Sequence, residues 1–195
     1  MNGTASKRRV VGIDVDDCLA DFVSAFTAAA VAVTGRWELN GREPADWEFS
    51  NFGLSRDDMR QVWNHIQNTP NFWLSLYKLP GTDQLEAREN DLILYFVTSR
   101  VPSLGMPLEQ QTAYWIRREF GIQFPSVILS KEKGKVAAAL GCYAFIDDRP
   151  LYLEQVREEH PHCQLYLKSR SHNLNYRLLP RMRRVESVNE MLEEV

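Results

Sequence analysis

Val10-Val11-Gly12-Ile13-Asp14-Val15-Asp16-Asp17 carries, in eight residues, the signature of the whole architecture. Its first half is an unbroken apolar run, without the alternation of a strand that keeps one face in water. Such a run reads as a strand buried on both faces of a parallel sheet. Its second half sets carboxylates at the carboxyl end of that strand, where open α/β sheets bind their ligands. The apolar run spans residues 10–15, and four more read the same way, at 92–97, 127–129, 143–146 and 163–167. Helical periodicity lies between the later runs. Residues 108–120 end at Gly121, residues 133–140 end at Gly141, and residues 151–159 follow Pro150 and stop before Pro161. Alternating strands and helices with right-handed crossovers predict an α/β fold, a doubly wound parallel sheet.

The gap between the first and second runs, about 75 residues, is far too long for one crossover helix. It holds Trp37, Trp47, Trp63 and Trp73 with Phe49, Phe52, Phe72 and Tyr77. Residues 59–66 carry apolar side chains at helical spacing, and Asp57 and Asp58 suit a helix start. Residues 21–79 therefore read as a small helical insertion after the first strand, closed by the Pro80-Gly81 turn. Residues 8–20 and 80–195 form the core domain.

The 195 residues are 44% hydrophobic, 25% charged and 11% aromatic, which is the composition of a globular chain. Lys+Arg 23 against Asp+Glu 26 leaves a net charge of −3, which argues against a nucleic-acid polymer as partner. Three widely spaced cysteines, Cys18, Cys142 and Cys163, do not form a disulfide framework and favour a reducing compartment. Residues 10–13 are too short for the apolar core of a signal peptide. Residues 22–33 are interrupted by Ser24 and Thr27 and are too short to span a bilayer. The expectation is a soluble, cytoplasmic protein without a membrane partner; a homodimer stays open.

The residues just past each apolar run locate the chemistry. Asp14-Val15-Asp16-Asp17 comes after Ile13, Thr98-Ser99-Arg100 after Val97, and Asp147-Asp148-Arg149 after Ile146. Lys131, Lys133 and Lys135 come after Leu129. Carboxylates massed at one edge repel one another unless a cation neutralises them, and hard oxygen ligands suit Mg²⁺. Mg²⁺ and a lysine can together hold a phosphate against Thr98 and backbone amides. Asp14 can then attack phosphorus, and Asp16, two residues on and on the same face, can protonate the leaving alcohol and activate water. Lys133 lies on the sheet-facing stripe of Val136, Ala137 and Leu140, so it is the chosen phosphate lysine; Lys131 and Lys135 are the alternatives. Taken alone, each motif reads as a turn or a helix cap. Their force lies in falling together at strand ends.

Asp14-Val15-Asp16, Thr98, Lys133 and Asp147-Asp148 resemble, in order, the four motifs of the haloacid dehalogenase superfamily. The insertion after the first motif resembles that superfamily's helical cap. Longer phrases are similar to the 5′(3′)-deoxyribonucleotidases and their bacterial and phage relatives: residues 13–22, Asn71-Phe72-Trp73, Leu79-Pro80-Gly81, Val97-Thr98-Ser99-Arg100, Tyr114-Trp115, residues 145–150 and His172-Asn173. The likeness runs from about Val10 to Asn173. It implies a Rossmann-like core, Asp14 as nucleophile and Asp16 as acid and base. It also implies Mg²⁺ on the Asp14 carboxylate, the Asp16 backbone carbonyl and the Asp147-Asp148 pair, with Asp148 favoured as the direct ligand. Thr98, Ser99 and Lys133 would hold the phosphate. The chain departs from the pattern at Asp17, where glycine is usual, at Cys18, and at Arg100, which replaces a proline and is a candidate phosphate or sugar contact. The segment from Lys133 to Asp148 is longer than in the animal enzymes.

The expected activity is that of a Mg²⁺-dependent phosphomonoesterase on a small phosphate ester, a nucleoside monophosphate and preferably a deoxynucleotide. The rivals are a sugar-phosphate phosphatase of the same superfamily, a phospho-accepting signalling module and an idle nucleotide-binding protein. Phe49, Phe72 and Trp73 are candidates to touch the base, against the alternative that they fill the insertion's own core. His160, His162 and Cys163 lack the partner pair a zinc site needs. Arg177, Arg181, Arg183 and Arg184 read as a solvated surface. His172-Asn173 stands at the active edge as a candidate for its rim.

Overall fold

The computed structural model describes residues 8–195. Six parallel strands form one sheet: β1 (Arg9–Ile13), β2 (Leu92–Thr98), β3 (Ser126–Leu129), β4 (Ala144–Asp147), β5 (Gln164–Lys168) and β6 (Met182–Val185). Their order is β3-β2-β1-β4-β5-β6. The chain winds outward from β1 in one direction and from β4 in the other, so the topological switch point lies between β1 and β4. Ile13 pairs with Phe96 on one side and Ile146 on the other.

Alternate strand residues serve opposite faces. Ala144, Ile146 and Tyr166 join one buried cluster, with apolar residues of α1 (Phe22–Thr34), α4 (Leu108–Phe120) and α7 (Val188–Glu194). Phe145, Leu165 and Leu167 join the other, with residues of α5 (Lys133–Leu140) and α6 (Pro150–Glu159). Two apolar faces explain why the strands read as continuous apolar runs. The expected doubly wound sheet is present, and α4 and α5 occupy the predicted residues.

One strand carries no readable signal in the sequence. Met182-Arg183-Arg184-Val185 buries Met182 and Val185 and forms β6, so these arginines are not merely a solvated surface. Arg184 Nη1 donates to Asn173 Oδ1 at 2.6 Å, and Arg183 pairs with Glu194 at 2.5 Å. The strand is short, at the sheet's edge, and half charged, which is how edges resist pairing with other chains. Two apolar residues are too few to mark it.

Between β1 and β2 lie α1, α2 (Arg56–Asn68) and three short 3₁₀ turns. Ser55 caps α2 by accepting from Asp58 N, and the Asp58 carboxylate accepts from Ser55 N in return. Phe22 at the start of α1 stacks within 5.8–6.1 Å of Trp73, Trp63 and Trp47, so these aromatics form a common core above the strand ends. A short helix, α3 (Leu85–Arg88), leads into β2.

The seat of α5 depends on Gly134. A Cβ there would lie 2.3 Å from the backbone oxygen of Gln155 in α6. Gly134→Ala must push the two helices apart and is expected to cost about 1–3 kcal/mol, read as a lower urea midpoint at unchanged slope.

Candidate active site

The site is built at the carboxyl ends of β1, β2 and β4. Asp14 follows β1, and its amide donates to the Ile146 carbonyl at 3.0 Å, which fixes it beside the end of β4. The next turn doubles back at once. Leu19 N and Ala20 N both donate to the Val15 carbonyl, and Asp17 adopts φ +56°, a left-handed conformation that aspartate tolerates better than most residues. The usual glycine is thus replaced without loss of the turn.

Lys133, the first residue of α5, is 1% exposed. Its Nζ lies 2.5 Å from Asp14 Oδ1 and 2.7 Å from Asp147 Oδ2, and 4.3 Å from the centre of the Tyr152 ring. Of the three candidate lysines, it is the one at the acids. Lys135 pairs with exposed Glu132, and Lys131 is exposed. Burial alone would lower the Lys133 pKa, but the two carboxylates more than offset this and hold it above the ordinary lysine range. Burial pushes Asp14 well above the usual carboxylate range; Lys133 pulls it down, and Asp147, Asp148 and Asp16 push it up again. Burial likewise raises Asp147 to about 6. One ammonium shared among several acids leaves negative charge uncompensated.

The two acids after β4 differ. Asp147 has both oxygens engaged, one by Lys133 and the other by the Arg149 amide at 2.9 Å. Asp148 is fully buried; His172 Nε2 approaches its Oδ2 at 2.7 Å, but neither carboxylate oxygen makes a hydrogen bond. Asp14, Cys18 and Asp148 each bring a ligand-type atom within 4.8 Å of the others. A buried carboxylate without hydrogen bonds beside Asp14 is what a hard divalent cation would satisfy, so the two carboxylates fit Mg²⁺; the Cys18 thiol, kept protonated by burial and the nearby acids, is not a ligand for it. Asp147 does not share that fit, because its oxygens already serve Lys133 and the backbone. The Thr98 hydroxyl is also buried without a partner, at the end of β2. Ser99 Oγ lies 3.0 Å from Tyr152 Oη.

Arg100 has a partner that the sequence does not announce. Its Nε and Nη2 reach the Asp16 carboxylate at 2.8–3.1 Å, Nη1 donates to Thr112 Oγ1, and the guanidinium lies 4.7 Å from the centre of the Trp73 ring. It clamps Asp16, because the first acidic turn delivers that carboxylate to the end of β2, and it lines the same cleft as Thr98, Ser99 and Lys133.

The cleft enclosing these groups measures about 60 Å³, and Trp73 is the only one of the three expected base contacts that lines it. Phe49 packs into the insertion core against Phe26 at 4.1 Å, and Phe72 lines a separate apolar cavity between α1 and α2. Phe22, Trp47, Trp63, Arg149 and Tyr152 line the cleft without having been singled out. Arg149 directly follows the acid pair and was findable; the others carry no local signal, since only packing decides which aromatic faces inward.

The 5′-nucleotidase, deoxy (pyrimidine), cytosolic type C protein family matches residues 8–194. The chain belongs to this family. No curated protein matches. Among solved structures, this nucleotidase-family chain is similar to a haloacid dehalogenase-like hydrolase from Streptococcus pneumoniae, at 14% identity, 96% of this chain, 98% of the other and TM-score 0.63. It is similar also to a haloacid dehalogenase-superfamily hydrolase from Geobacter sulfurreducens, at 13% identity, 97% of this chain, 100% of the other and TM-score 0.57. A third is a hydrolase of that type from Bacillus subtilis, bound to magnesium, at 13% identity, 96% of this chain, 98% of the other and TM-score 0.59. These likenesses establish the fold, and the family membership makes the chain an enzyme of the nucleotidase class.

Elsewhere among the described residues, His160 Nε2 bonds to the Cys142 carbonyl at 2.9 Å, and the three cysteines are free and buried. No described helix is long and apolar enough to cross a membrane.

Proposed function

We propose that the protein is a Mg²⁺-dependent phosphomonoesterase acting on nucleoside monophosphates, preferably deoxynucleotides, through an aspartyl-phosphate on Asp14. The observation that carries this reading is Lys133 bridging Asp14 and Asp147 beside the orphaned Asp148 and Thr98 side chains. The Asp14 carboxylate, the Asp16 backbone carbonyl and Asp148 would hold Mg²⁺, which when bound neutralises the acids and the phosphoryl oxygens.

The chain's own groups account for the rest. Lys133 and the Thr98 hydroxyl bind phosphoryl oxygens, with Ser99 beside them. The Asp14 oxygen that Lys133 does not hold attacks phosphorus; the P–O ester bond breaks and Asp16 gives its proton to the leaving alkoxide. Asp16 then takes a proton from water as that water attacks phosphorus, which releases inorganic phosphate and restores Asp14. Arg100 positions Asp16 through a two-point hold, and the proton that Asp16 exchanges occupies a carboxyl lone pair that the guanidinium does not use. A lysine cannot reproduce that two-point hold. Arg100→Lys is expected to lower kcat on the order of 10²-fold while KM changes little, as steady-state kinetics will measure.

The insertion, residues 21–79, is proposed as a cap that moves over the core, residues 8–20 and 80–195. A cleft of about 60 Å³ admits a phosphoryl group but not a nucleoside, since ligand pockets run to roughly 300–1,000 Å³. Opening would admit the substrate, and closure would exclude water. The aromatic lining and the family's nucleotidase activity support a nucleoside leaving group, and the family's cytosolic type supports a cytosolic setting. The small cleft favours one alternative, a smaller ester such as a sugar phosphate.

Phosphate release across 5′- and 3′-nucleotides and sugar phosphates, with Mg²⁺ and with EDTA, tests both readings. Turnover of deoxynucleotides that EDTA abolishes is the expected result. Faster turnover of sugar phosphates than of any nucleotide would overturn the substrate assignment.

A further inference from the structure

A second cluster of ligand-type atoms adjoins the first. Asp17, Asp148 and His172 each bring one such atom within 4.8 Å of the others. All three are sealed from solvent: Asp17 and Asp148 are fully buried, and the His172 side chain is 2% exposed. His172 Nε2 lies 2.7 Å from Asp148 Oδ2. Yet neither atom makes a hydrogen bond, and Asp17 Oδ2 and His172 Nδ1 also lack partners.

A close N···O approach that makes no hydrogen bond is how two neighbouring ligands on one ion stand. Ligand atoms about 2.1 Å from a metal and at right angles to each other lie about 3.0 Å apart. The surroundings agree. Arg170 holds Asp17 through Oδ1 at 3.1 Å and leaves Oδ2 free. No lysine or arginine pairs with Asp148 among the described residues. Asp17 keeps a buried carboxylate at φ +56°, where glycine would cost less in both backbone strain and desolvation.

We propose that Asp17, Asp148 and His172 form a second divalent-cation position, which shares Asp148 with the Mg²⁺ position proposed above. An imidazole ligand shifts its preference from Mg²⁺ towards Mn²⁺, Co²⁺ or Zn²⁺. The inference rests on Asp148 being a metal ligand and not on the identity of the substrate.

The test is a count of ions on the full-length, metal-free protein. Mn²⁺ titration followed by electron paramagnetic resonance is expected to give two ions per chain, and Mg²⁺ calorimetry one. Asp17→Asn, nearly isosteric, and His172→Phe, which keeps a ring beside Trp47, should each weaken the second Mn²⁺ at least tenfold and spare the first. The edge contact of Trp47 on His172, at 5.3 Å, supplies a further readout: the second Mn²⁺ should quench tryptophan fluorescence. One Mn²⁺ in the wild type, or two of unchanged affinity in both variants, overturns the proposal. Two ions on a protein that releases phosphate from no monoester would instead sink the proposed reaction and leave the second position standing.

Discussion

Asp14→Asn is expected to abolish phosphate release, by roughly 10⁴–10⁶-fold, without loss of the fold. The amide has no anionic oxygen to attack phosphorus, and none of the neighbouring acids is placed to replace it, because Asp147 is held by Lys133 and Arg149 and Asp16 by Arg100. Stability should hold or rise in metal-free buffer. Burial and three nearby carboxylates already disfavour the Asp14 anion, and Lys133 keeps Asp147 as a partner. Phosphate release and urea unfolding in EDTA measure the two effects separately. Activity within tenfold of wild type would remove Asp14 as the nucleophile.

Lys133→Met should damage both activity and stability. Its ammonium is the one cationic side chain paired with Asp14 or Asp147 among the described residues. Breaking such a buried pair from one side leaves uncompensated charge and costs about 3–5 kcal/mol. Loss of a preformed positive group at the phosphoryl oxygens should lower kcat on the order of 10³-fold. Added Mg²⁺ should restore part of the stability, because it neutralises the same acids, and little of the rate. Lys135→Met, at an exposed residue paired with exposed Glu132, is the control and should change neither. Equal effects of the two substitutions would refute the choice of Lys133.

The choice of Lys133 was legible because helix geometry is local. Val136, Ala137 and Leu140 mark the sheet-facing stripe, and a lysine one turn earlier must point the same way. Asp14, Thr98 and Asp147 were legible for a related reason: a strand's end is marked by where its apolar run stops, and a parallel sheet brings all such ends to one edge. The proposed roles of Arg100 and His172 were not legible. Arg100 meets Asp16 across 84 positions of sequence, and His172 meets Asp148 between separate strand ends. The base-contact candidates show the same limit. Phe49, Phe72 and Trp73 are equally aromatic, but only Trp73 reaches the cleft.

The doubly wound sheet, the long insertion after β1 and the edge at which the acids gather are written in the order of the residues. They follow from periodicity and from the length of apolar runs, which depend on near neighbours. Folding had to settle which acid of the pair after β4 is free, what Arg100 grips and which aromatics face the cleft. Those outcomes depend on charge compensation and close packing between segments far apart in the chain, where no local pattern records the partner.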